Sequence, residues 1–163
     1  MTMEDLLRGE EAAILEEAAL GVAQLEHYRR DGAQATRGRL ELLYGQLVDA
    51  VLTRDLNALR AHVTRMAHDR LAAGFDLAEV QAAFSVLEDA IWRRALSRLP
   101  PPERAWGLSL VATAFAQGKS TLARTFESLA PSAVAPCVDL APLFFGADAV
   151  RTSRSVEELV FPV

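Results

Sequence analysis

The chain has 163 residues, 51% of them apolar, a net charge of -5 and one cysteine. That length fits one domain with a real core and a tail, and a second full domain is not expected. The acidic balance would repel a phosphate backbone, so no nucleic-acid partner is expected, and the lone Cys137 permits neither an internal disulfide nor a cysteine-rich zinc site, as suits a reducing cytosol.

The N-terminus MTMEDLLRGEEAAILEE is acidic from its fourth residue and lacks the basic, apolar, small-residue order of a secretory signal. A cytoplasmic protein is therefore expected. From Glu4 to about Arg30, Leu7, Ile14, Ala18, Val22 and Leu25 recur at steps near 3.6, which predicts one long first helix. Asp31-Gly32 ends it. A second helix is expected from about Ala35 to Leu52, with Leu40, Leu43, Leu47 and Val51 on one face. Thr53 or Asp55 is placed to cap a third, whose stripe is Leu56, Leu59, Val63, Met66 and Leu71.

The turn that follows is specified in detail. Gly74 suits the left-handed residue that ends a helix, Asp76 suits the N-cap of the next, and Glu79 stands where a capping box needs it. Phe75 and Val80 fall at the two positions of a hydrophobic staple. The fourth helix then repeats Leu77, Val80, Phe84, Leu87 and Ile91. Pro100-Pro101-Pro102 stops it and starts a fifth, which runs to about Leu129 with Leu108, Phe115, Leu122 and Leu129 seven apart. The longest uncharged run there, Ala105 to Gly118, is too short and too polar to cross a bilayer, so no membrane is expected. Beyond Pro131 prolines break the text and no helical period survives.

These elements predict an all-α fold, a globin-like arrangement or a helical bundle of about five main helices, over residues 1–130, with a proline-broken tail over 131–163. No catalytic residue is assigned. Gly118-Lys119-Ser120-Thr121 matches the end of a phosphate-binding loop, but Thr113 stands where the loop's first glycine belongs and the surroundings are helical. Paired carboxylates such as Glu16-Glu17 diverge on a helix instead of converging. His62 and His68 flank Met66, but no set of three or four convergent ligands accompanies them, so no metal is expected. Each remains a candidate as a single haem ligand, since such a pocket needs only one histidine. His68 is also a candidate for passive phosphotransfer. No cofactor is assigned.

The run from Tyr28 to Leu96 resembles the N-terminal domain of the RsbR and RsbRD co-antagonists of the bacterial stressosome, a family also found in front of sensor histidine kinases. The matching residues are Tyr28 with Gly32, Arg39-Leu40, Leu43-Tyr44, Asp55, His62-Val63, Arg70, Gly74-Phe75-Asp76-Leu77, Val80, Leu87 and Ala90-Ile91-Trp92. The resemblance implies a globin-like domain without haem, forming dimers and sensing a signal or presenting a surface to a STAS-domain or kinase partner. None of these residues is catalytic in that family. The expected function is thus a non-enzymatic sensory or regulatory module. A homodimer seam is expected along the first and fifth helices, through Ile14, Ala18, Val22, Leu25, Leu108 and Phe115. The alternatives are a haem or small-ligand binder using His62 or His68, and an adaptor that docks Leu143-Phe144-Phe145 or Val160-Phe161 on a partner.

Overall fold

The structure is a computed structural model, and it describes residues 1–130. Those residues hold seven α-helices and no strand: α1 Met3–Gly9, α2 Glu11–Val22, α3 Glu26–Asp31, α4 Ala33–Thr53, α5 Asn57–Ala72, α6 Leu77–Arg98 and α7 Pro101–Leu129. The chain divides into two units at Ala130, and the second, Pro131–Val163, lies outside the described residues. So do the candidate docking segments Leu143-Phe144-Phe145 and Val160-Phe161.

The all-α expectation holds for the described residues, but seven helices stand where five were expected, because the first splits in three. One break is at Glu10, whose carboxylate lies 3.6 Å from both Arg94 and Arg98 at the end of α6. The other, at Ala23 to Leu25, is set from a distance. Leu25 begins α3 in an extended conformation with no side chain of its own to cap the helix. The missing acceptor comes from Glu79 on α6, described below. No periodicity in residues 4–30 could report that.

The remaining four helices follow the hydrophobic stripes closely. α7 packs against α5, α6 and α4, while α2 packs on α6 and α4. Two glycines permit the closest approaches to α7. A Cβ at Gly107 would lie 2.9 Å from Met3 Cβ, and one at Gly118 would lie 2.9 Å from Phe84 Cε1. Gly118 therefore marks close helix packing, not a bend. Phe84 in turn meets Phe115 edge-on, with ring centroids 6.4 Å apart. Tyr44, fully buried, donates its hydroxyl hydrogen to the Leu7 carbonyl at 2.6 Å, joining α4 to α1. On the far side Arg94 donates to the Ala13 carbonyl at 3.1 Å and to Glu17 at 3.0 Å, pinning α6 to α2.

Ile14, Ala18, Val22 and Phe115 belong to this single-chain core, each at most 1% exposed. Their apolar surface is already spent inside one chain, which corrects the expected seam: these four offer nothing to a second copy. Leu25 and Leu108 are half-buried and keep some surface. Among the described residues, no helix is long and apolar enough to cross a membrane.

Candidate functional site

The turn between α5 and α6 is the place where distant parts of the sequence meet. α5 ends in a Schellman motif: the Phe75 N–H reaches the Arg70 carbonyl at 3.0 Å and the Gly74 N–H reaches that of Leu71 at 3.0 Å. The motif requires the left-handed Gly74, whose φ is +84°. Asp76 then caps α6, its Oδ1 accepting from the Glu79 N–H at 2.7 Å. Phe75 and Val80, the staple pair, are both buried.

The capping box is only half made. The Glu79 carboxylate does not return to the Asp76 backbone. It crosses to α3, where Oε1 accepts from the His27 N–H at 2.8 Å and Oε2 pairs with His27 Nδ1. The reason is a competition between donors. The Asp76 N–H sits in an exposed turn where water serves it, whereas α3 starts with unmet N–H groups in a half-buried place. Glu79→Ala should therefore cost about 1–2 kcal/mol, the value of a helix cap or a charged hydrogen bond. Faster amide exchange confined to residues 26–31 would locate the loss, while Glu79→Gln, which keeps one acceptor, should retain part of it.

Phe75, 2% exposed, is the centre of the assembly. The His27 ring lies tilted against it and the Tyr28 ring meets it edge-on, each with centroids 5.0 Å apart. Two guanidiniums stand over the same ring, Arg70 at 5.3 Å and Arg39 at 5.6 Å from its centroid. Thr36 donates to the Tyr28 carbonyl at 3.2 Å, and Arg39 bonds Asp31 at 2.5 Å, so α3 is tied to α4 as well.

The electrostatics follow from this crowding. Burial raises the Tyr28 hydroxyl pKa, and the hydrogen bond from Arg39 lowers that of Asp31. Burial, then the like charge of Arg39, weakens the hold of Arg70 on its proton. Beside this cluster, between α4 and α5, runs an open groove of about 450 Å³ that Arg39, Arg70, Arg65 and His62 help to line. Burial and the neighbouring Arg65 and Arg70 push the His62 pKa below its ordinary value, so the groove disfavours a charged imidazole.

His62 is thus placed on a groove wall among arginines, and His68 is exposed on α5. Neither borders the apolar core cavity between Leu7, Leu47, Ile91 and Phe115, whose volume of about 10 Å³ is close to that of one water probe. Lys119, from the phosphate-loop-like string, is committed to Glu88 of α6 at 2.7 Å. No cluster of three or more His, Cys, Asp or Glu side chains disposed to hold a metal occurs among the described residues.

The structure brings together Gly74, Phe75, Asp76 and Glu79 as the sequence implied, and joins to them Tyr28, Arg39 and Arg70. His27, Arg65 and Leu42 were not singled out. His27 lies 52 residues from Glu79, and no local pattern announces such a pairing. No protein-family model, curated protein or solved structure matches this chain.

Proposed function

We propose that this chain is a non-enzymatic, cytoplasmic sensory or regulatory module, globin-like in the sense of the RsbR-type N-terminal domains it resembles. It works as a homodimer and hands its signal to a separate protein, for which a STAS-domain or kinase partner is the model. One observation carries the reading. Residues that bear the resemblance and lie far apart in sequence, Tyr28, Arg39, Arg70 and Phe75, assemble around one buried ring. That is how fold determinants behave, and it supports a shared architecture built on them.

The surface offers support for self-association away from the core positions first considered. The outer face of α7 carries no charge from Ala105 to Gly118, exposing Ala105, Ser109, Thr113 and Ala116, with Trp106 half exposed at one end beneath the Arg54 guanidinium. Light scattering on the full chain at micromolar concentration should return twice the 17.7 kDa chain mass. A single-chain mass at that concentration would remove the homodimer from the proposal.

A further inference from the structure

We infer that the groove between α4 and α5 is a binding site for a small organic oxyanion, a carboxylate or phosphate carried on an apolar body. Its inner end is Arg70. This side chain is 7% exposed, lines the groove, and has an Nε–H with no hydrogen-bond partner among the described residues. Nor does any described carboxylate come within ion-pairing distance of it, while Arg39 spends its own pairing on Asp31. A buried donor left unmet costs about 1–3 kcal/mol, and an unpaired buried charge costs more. An oxyanion seated against the groove-facing edge of the Arg70 guanidinium supplies the missing countercharge.

The rest of the groove fits that occupant. Arg39 and Arg65 bring two further guanidiniums, whose planar forks match carboxylate and phosphate oxygens. Arg65 is exposed and has no ion pair among the described residues. The one carboxylate in the lining is Asp69, and with Arg39 paired to Asp31 outside it, Arg65 and Arg70 are the two lining arginines with no ion pair among the described residues. Leu42, 64% exposed on α4, and Met66, half-buried on α5, form an apolar flank next to the cations. A bare inorganic ion would leave that flank unused, whereas an alkyl or aryl acid covers it. The groove volume falls within the range of small-ligand sites, about 300–1,000 Å³.

The site stands whether or not the chain dimerises, and its test reads binding alone. Isotope-labelled full-length chain is titrated with sodium hexanoate, hexyl phosphate, acetate and inorganic phosphate at constant ionic strength, following backbone amides and the arginine Nε–H signals. Saturable shifts of the Arg70 Nε–H and of amides near Leu42 and Met66 are expected with the two hexyl compounds. The tighter of the two identifies the head group. Arg65→Gln and Leu42→Ser, both surface changes, should each weaken that binding by about tenfold, the factor that follows from losing roughly 1.4 kcal/mol. The inference is overturned if neither hexyl compound gives saturable shifts on α4 and α5. It is equally overturned if acetate and inorganic phosphate bind as tightly as their hexyl counterparts, or if both variants bind like the parent.

Discussion

Phe75→Ala is expected to lower unfolding stability by about 3–5 kcal/mol, the range for emptying a buried phenylalanine site. The site has little freedom to collapse. Phe75 is a hinge residue held by the Schellman motif on one side and the Asp76 cap on the other, so its backbone cannot move inward to fill the gap. The ring also supports His27 and Tyr28 from α3, Arg39 from α4 and Arg70 from α5. Urea unfolding measures the total. Loss of the near-ultraviolet signal of Tyr28 together with retained helical content would show that the damage starts at α3. A cost under 1 kcal/mol would mean that the ring is not the support described here.

Gly118→Val should cost about 3 kcal/mol, the upper part of the range for overpacking a filled core. The new Cβ alone would stand 2.9 Å from Phe84 Cε1, and the two further methyl groups of valine have only core around them. Phe84 cannot step aside because it is fully buried and already edge-on to Phe115. The comparison that isolates packing from helix propensity is Gly45→Ala in the middle of α4. A Cβ at Gly45 meets nothing within 4 Å, so that change should gain up to about 1 kcal/mol. Thermal melts of the two variants should move in opposite directions.

Both results bear on how much of the molecule was readable beforehand. The four long helices were legible because each carries an amphipathic stripe and three of their boundaries have a local reason: Gly32 at positive φ before α4, Gly74 at positive φ after α5, and Pro100 to Pro102 between α6 and α7. The end of α4 at Arg54, left-handed without being glycine, carried no such signal. The start of α5 departs from expectation: Leu56, not Thr53 or Asp55, is its N-cap and makes no side-chain cap bond, while Asp55 Oδ1 accepts from the Asn57 N–H at 2.9 Å in a turn just ahead of the helix. What could not be read was anything fixed by a partner far along the chain. The break before α3 depends on Glu79, and Glu79 looked like the second half of a local capping box until α3 claimed its carboxylate.

The same limit explains the candidate seam. Ile14, Ala18 and Val22 look surplus when the first helix is imagined as a single rod beside the others. Once that rod is cut at Glu10 and again near Leu25, its middle piece packs against α6 and α4, and the surplus disappears into the core. The groove was hidden for a different reason. Arg39, Arg65 and Arg70 are ordinary solvated arginines on a helical wheel, and only the burial of Arg70 without a counterion distinguishes them.

The hydrogen bond from Tyr44 to the Leu7 carbonyl has a consequence for how the native state opens. A helix of seven residues ordinarily frays, since so short a segment has no stability of its own. Here its first turn is closed by the reciprocal Thr2 and Asp5 bonds, Met3 is seated against Gly107, and its last turn is held by a hydroxyl from the centre of the core. Freeing α1 would strand the Tyr44 hydroxyl and uncover Leu6 and Leu7 at once. Its amide protons should therefore exchange only with the last cooperative unit to unfold, and hydrogen exchange at residues 3–9 should track the stability of the whole domain.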